Sequence, residues 1–233
     1  MVQDLGNEVK CQKTQVIYFS RSMTVNPANP PLIIDGQVLD NNDTMKILGV
    51  ILDDKLTFEQ HIDAIASTIS RQVGLLRKSL RTFNSIAIAK KCFYSFLLPS
   101  FEYCSPVWGS AADIHLKKLE RLVRQITILI PDLTIDLEHR RKVAAQCMFY
   151  KIFNNLRHPV RSLLPHPFVP NRNTRRNDAL NRFALRPLRC KTEQFKRSFV
   201  PSCLKIWNSL PNSVFNIPKV QNFKVKVNSL LKG

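Results

Sequence analysis

The spacing of apolar positions along this chain changes once, near Thr57, from a period of two to a period of 3.6. Before that point, short β-branched and aromatic runs predict strands. They are Gln15-Val-Ile-Tyr-Phe19, the flanks of Asp35-Gly36 within Leu32 to Leu39, and Met45 to Leu52, which follows a turn at Asn41-Asn-Asp43. An Asp-Gly pair between apolar flanks is the strongest short hairpin signal, so a small sheet of three or four strands is expected. Thr57-x-x-Gln60 then reads as a capping box, its side chains answering unpaired donors in a first helical turn. In the helix it opens, Ile62, Ile65, Ile69, Val73, Leu76 and Leu80 fall within roughly 80° of one another at 100° per residue.

Further helices are expected from Ser85 to Leu98, capped by Ser85 and stopped or kinked by Pro99, and from Asp113 to Ile130. In the latter, Leu116, Leu119, Leu122, Val123 and Ile126 share one side. A fourth runs from Asp136 to about Phe153 and carries Arg140-Arg-Lys142 near its positive N-terminal end, where something anionic would offset them. Residues 158–182 are rich in Pro, Asn and Arg and read as a linker. Beyond it, Thr192 to Leu210 reads as helix interrupted at Pro201, and Pro218, suited to a first helical position, opens a last helix to Leu231. The fold class expected is α+β, mainly α. Its parts are a sheet at 1–56, a helical domain at 57–157, the linker at 158–182 and a basic helical region at 183–233.

Charge changes the picture more than composition does. The 233 residues carry a net +18, but residues 1–70 hold five Lys/Arg against nine Asp/Glu, whereas residues 71–233 hold thirty against eight. A cationic surface of that extent suits a phosphate backbone, because each neutralised phosphate releases condensed counterions. The uncharged stretch Cys92 to Phe101 is far short of the ~20 apolar residues a membrane span needs. No basic and apolar leader opens the chain, so an intracellular protein of nucleus or cytoplasm is expected, neither secreted nor membrane-bound. The six cysteines, at 11, 92, 104, 147, 190 and 203, form no short C-x-x-C pair and read as free thiols.

The bases gather on helix faces. Arg71, Arg77, Lys78 and Arg81 adjoin the apolar stripe of the first helix, and Lys117, Lys118, Arg121 and Arg124 oppose that of the third. These stripes suit a duplex backbone; a solvated amphipathic face would show the same pattern with more acids mixed in. Arg175, Arg176, Arg182, Arg186 and Arg189 extend the series, and with Phe183, Phe195 and Phe199 interleaved they suit single-stranded RNA held by charge and stacking, or else a basic linker. Ile51-Leu-Asp-Asp54 imitates a metal-binding carboxylate pair, but no second apolar-flanked Asp precedes it, and a solvated turn is the better reading. His61, His115, His139, His158 and His166 share no ligand spacing, and Trp108 and Trp207 read as core anchors.

Lys13-Thr-Gln-Val-Ile-Tyr-Phe19 is followed by Leu48-Gly49-Val50, Leu52-Asp53, Leu56, Phe58 and His61-Ile62. Then come Tyr94, Pro99, Glu102-Tyr103 and Val107-Trp108-Gly109, and finally Ser198-Phe-Val-Pro201 with Trp207-Asn-Ser-Leu-Pro211. Taken in order, these five landmarks resemble the carboxyl-terminal part of the non-LTR, LINE-type and jockey-like, retrotransposon reverse transcriptases. The resemblance runs from Lys13 to Leu231. It implies that Leu48, Gly49 and Val50 lie beside a primer terminus like a primer grip, and that the following helices form a thumb holding template and primer. The Asp-bearing catalytic hairpin of that family has no counterpart upstream of Lys13. The resemblance therefore implies a fragment without catalytic aspartates, needing no cofactor, although the parent polymerase uses Mg²⁺. Its implied partner is an RNA–DNA or DNA duplex, with single-stranded RNA a further candidate; oligomeric state is left open. Two other readings stay open: a free-standing, non-catalytic RNA- or DNA-binding protein, and a protein-interaction module.

Overall fold

The computed structural model describes residues 14–20, 32–34, 36–39, 41–168 and 182–232. These fall into two compact units that part between His61 and Ile62. The architecture is mainly helical with two small antiparallel sheets, an α+β fold of the expected kind.

In the first unit, β1 (Ile33–Ile34) pairs antiparallel with β2 (Gln37–Val38), and β3 (Thr44–Ile47) pairs antiparallel with β4 (Val50–Asp53). The expected single sheet is thus two separate hairpins, with Val16 and Asn41 forming an isolated parallel bridge. The run Met45 to Leu52 reads as one strand in sequence but folds back on itself, because Leu48 and Gly49 take positive φ of 46° and 86°. Positive φ at both central residues is what a two-residue hairpin turn demands. The register follows from that turn, Ile47 opposite Val50 and Thr44 opposite Asp53.

Helix α1 (Glu59–Phe83) starts one residue after Phe58, which itself has φ of 60°. That conformation displaces the expected capping box. The Asp53 carboxylate does most of the capping: its two oxygens accept from the Thr57 and Phe58 backbone N–H groups at 2.8 and 2.7 Å, while Thr57 Oγ1 only reaches the Glu59 N–H at 3.3 Å. Asp53 is buried, so the solvated turn expected there is corrected to a structural cap. A carboxylate at this end also complements the helix dipole. His61 is buried as well, and its Nδ1 accepts from the Ile51 N–H at 3.4 Å. Burial, aided by Lys46, holds its pKa below the ordinary histidine value and keeps the ring neutral, as an accepting nitrogen requires.

In the second unit α2 (Ile86–Cys92) is capped by Ser85, whose hydroxyl accepts from the Ile88 N–H. The helix does not stop at Pro99. It widens into a π-helical turn over Phe93–Leu97, with the Leu98 N–H reaching the Phe93 carbonyl, and resumes as α3 (Leu98–Glu102) with Pro99 in its first turn. The wide turn accommodates a residue that lacks an N–H and whose ring would collide with a preceding carbonyl. After α4 (Ser105–Trp108), α5 (Asp113–Leu129) buries the five apolar residues expected of it. Next comes α6 (Leu137–Asn154), capped by Asp136 through the His139 N–H.

The Pro-rich stretch after α6 is built into this unit as far as it is described. Pro159–Leu163 is a 3-10 helix, and Pro167 bridges Leu185. The chain then forms α7 (Glu193–Arg197), α8 (Phe199–Ser209) and α9 (Val220–Leu230). The break falls at Ser198 rather than Pro201, which sits in the first turn of α8 where a missing N–H costs nothing. Pro218 precedes the cap residue Lys219 instead of occupying the first turn of α9. Both tryptophans are fully buried, as expected. Trp207 lies 4.7 to 4.9 Å, ring to ring, from Phe149, Phe153 and Phe215, and Tyr150 stacks on Phe223 at 4.1 Å, so α6, α8 and α9 share one aromatic core.

Candidate nucleic-acid interface

Helix α1 buries Ile62, Ile69, Val73 and Leu76, and the geometry of 100° per residue then turns Arg71, Arg77, Lys78 and Arg81 outward, where all four are exposed. On α5 the burial of Leu116, Leu119, Leu122, Val123 and Ile126 does the same for Lys117, Arg121 and Arg124. Arg71 makes a long 3.4 Å bond to Thr68 Oγ1. Among the described residues none of these seven has a carboxylate partner. Lys118 differs, with its Nζ 2.5 Å from Asp63 Oδ1, an ion pair in which α1 and α5 meet.

Six bases elsewhere pair with carboxylates of the chain itself. The trio at the start of α6 finds its anions inside the chain: Arg140 pairs with Glu102, Arg141 with Glu120 at 3.8 Å, and Lys142 with Glu138 at 2.6 Å. Glu102, Glu120 and Glu138 are the anions expected to offset that charge. Arg141 is buried, and burial pulls its pKa below the usual guanidinium value against the opposing pull of Glu120, Glu138 and Asp136. Lys90 pairs with Asp132, Lys196 with Glu193 and Arg197 with Asp113. Much of the division into spent and unspent bases is invisible in sequence, because partners such as those of Arg140 and Lys118 lie 38 and 55 residues away along the chain.

The C-terminal bases are a looser set. Arg175 and Arg176 lie outside the described residues. Arg182 is held in place: its N–H donates to Asn212, its guanidinium donates to Asn216 Oδ1 at 2.7 Å and lies 4.7 Å from the centre of the Phe183 ring. Arg186 and Arg189 are exposed. Of the three aromatics expected to stack bases, Phe183 packs on Phe153 and Phe215, and Phe199 packs against the Trp207 core. Phe195 stays exposed. In the first unit, Leu48 projects from the β3–β4 turn with 85% of its surface exposed, whereas Val50 is buried.

The remaining landmarks read from the sequence hold the fold. Trp108 Nε1 donates to the Tyr103 carbonyl at 2.7 Å. Gly109 leaves no room for a side chain, since a Cβ there would lie 2.6 Å from the Ser105 carbonyl oxygen. Trp207 Nε1 donates to the Phe183 carbonyl at 3.0 Å. Its neighbour Asn208 mimics a strand partner for buried Leu185, accepting from the N–H at 3.0 Å and donating to the C=O at 2.8 Å. Among the described residues no three His, Cys, Asp or Glu side chains gather as a metal would need, and no helix is long and apolar enough to cross a membrane.

Comparison with known proteins gives this arrangement a relation. The chain is 27% identical over 103 residues to a probable RNA-directed DNA polymerase from transposon X-element of Drosophila melanogaster. It is 29% identical over 110 residues to a probable RNA-directed DNA polymerase from transposon BS of the same organism. Over 95 residues it is 30% identical to the RNA-directed DNA polymerase from mobile element jockey of Drosophila funebris. The chain is related to the reverse transcriptases of non-LTR mobile elements. These matches take in 43%, 45% and 40% of this chain but 11%, 12% and 10% of the relatives, so the aligned stretch spans about a tenth of each polymerase. No family model and no solved structure matches. The outward bases of α1 and α5, without carboxylate partners among the described residues, stand on geometry alone.

Proposed function

We propose that this chain is a portion of a non-LTR retrotransposon reverse transcriptase that grips a template–primer duplex and does not by itself extend it. The observation that carries the reading is the row of seven outward bases on α1 and α5, exposed and without a carboxylate partner among the described residues. Phosphates of a duplex are the chemistry such a row recognises, without base specificity. Of the Asp53-Asp54 pair that imitates catalytic carboxylates, Asp53 is occupied at the entry to α1, accepting from the Thr57 and Phe58 N–H groups. Of the primer-grip-like trio, Leu48 at the hairpin tip is exposed, whereas Val50 is buried and Gly49 serves the turn. Retention of an RNA–DNA primer duplex across a salt series, with nucleotides and Mg²⁺ supplied to the same sample, tests both halves. Salt-steep binding without extension is expected. Extension would refute the second half, and binding indifferent to salt the first.

A further inference from the structure

Phe96 and Leu75 are apolar yet exposed by 66% each in the second unit. A hydrogen-bond relay ties Phe96 to the helix that carries Leu75: Gln72 Nε2 donates to Ser100 Oγ at 3.4 Å, and Ser100 Oγ donates to the Phe96 carbonyl at 3.0 Å. The relay fastens the π-helical turn to α1 at Gln72. That wide turn keeps Phe93 and Leu97 buried and leaves Tyr94, Ser95 and Phe96 in solvent. Along α1, Arg71 precedes Gln72 by one residue, and Lys78 falls roughly 20° from Arg71 around the helix, with Leu75 between them on the same face. On α1, apolar Leu75 thus shares a face with two bases that have no carboxylate partner among the described residues, and the relay ties the turn carrying the Phe96 ring to the same helix. From Ile62 to Phe101 the sequence has six bases and one acid, Asp63, and that acid is taken by Lys118. A face of this sign and with this ring matches a polyanion that also offers flat apolar surfaces.

Resting on the duplex-binding reading above, we infer that Phe96 is a stacking site for an unpaired base where a single strand leaves the duplex, with Arg71 and Lys78 taking its phosphates. Stacking tolerates any base, since each has a π face, so the site reads strand state and not sequence. The test compares the full chain with its Phe96→Ala and Phe96→Tyr variants on two probes, a blunt RNA–DNA duplex and the same duplex with a four-nucleotide single-stranded extension. Phe96→Ala is expected to weaken binding of the extended probe by roughly 5- to 100-fold. Binding of the blunt probe and the dependence on salt stay as they are, and Phe96→Tyr keeps full affinity. Because the ring is exposed, its loss leaves the fold intact, which a matched thermal melt checks. Salt-steep binding of both probes that ignores Phe96→Ala would overturn the inference alone and assign the Phe96 ring to a protein-docking surface. An equal loss on both probes would also overturn it. Absence of salt-steep binding in the unaltered chain would overturn the duplex reading and this inference together.

Discussion

Replacing Arg71, Lys78, Lys117 and Arg121 together by Ala removes four of the seven outward bases on α1 and α5, all from exposed positions. If all seven meet phosphates, the slope of log affinity against log salt is about −6, so affinity falls by nearly four decades between 50 and 200 mM salt. The four-fold variant keeps three contacts, a slope of about −3 and a fall of less than two decades over the same range. Lys118 does not enter the count because Asp63 already holds it. The assay is fluorescence anisotropy of a labelled RNA–DNA duplex at five or six salt concentrations, with the unfolding midpoint of each variant measured in parallel. Lys196→Ala is the internal control, since that base is tied to Glu193 and its loss should leave the slope within error. The reasoning is refuted if the four-fold variant keeps the original slope, or if Lys196→Ala flattens it as much per base removed.

Three further expectations concern the landmarks and the core. Gly109→Ala should destabilise the fold by roughly 1–3 kcal/mol in urea melts, because the new methyl meets the Ser105 carbonyl at 2.6 Å and backbone must move. Asn208→Ala strands both backbone groups of buried Leu185 and should cost about 2–4 kcal/mol at constant m-value; a cost near zero would mean water replaces the amide. Burial pushes the Cys203 thiol up to about 12, from an ordinary value of 9.0. The neutral thiol is thus favoured by folding, so its contribution is complete below pH 9 and drains away as pH rises from there toward 12. Between pH 8 and 10.5 the original protein should lose more stability than Cys203→Ala, and equal losses would contradict a buried thiol.

What the sequence discloses and what it hides divide along physical lines. Regular amphipathic helices are open to reading: α5 buries each of the five residues its 3.6-residue period selects, and Ser85 caps where a hydroxyl before an apolar run should. Concealed features are those that need a second part of the chain or an unusual backbone angle. Thr57 looks like the cap, yet the left-handed Phe58 hands that role to Asp53. A continuous apolar run hides the turn at Leu48-Gly49, since neither residue breaks the hydrophobic pattern. Pro99 signals a disturbance but not the π turn that absorbs it. For the candidate interface, positions of the bases are legible from periodicity, whereas which are already neutralised depends on contacts such as Arg140 with Glu102 that no spacing rule supplies.

The residues by which this chain resembles reverse transcriptases are, for the most part, those that hold it together. Trp108 and Trp207 are fully buried, Gly109 lies against a carbonyl, Asn208 pairs with a backbone, Asp53 caps a helix and Glu102 neutralises Arg140. Such positions tolerate few alternatives because each is fixed by sterics or by buried hydrogen bonds. The bases of α1 and α5 face the opposite condition. A phosphate backbone presents the same charge at every step, so a binding face needs enough cations in roughly the right place and no particular residue at any one of them. Ancestry is therefore written in the buried landmarks, and nucleic-acid binding, where it exists, in residues that no motif marks. It follows that substitution of the landmarks reports mainly on folding, and that only the outward bases and the exposed Phe96 can separate a retained grip from an inherited shape.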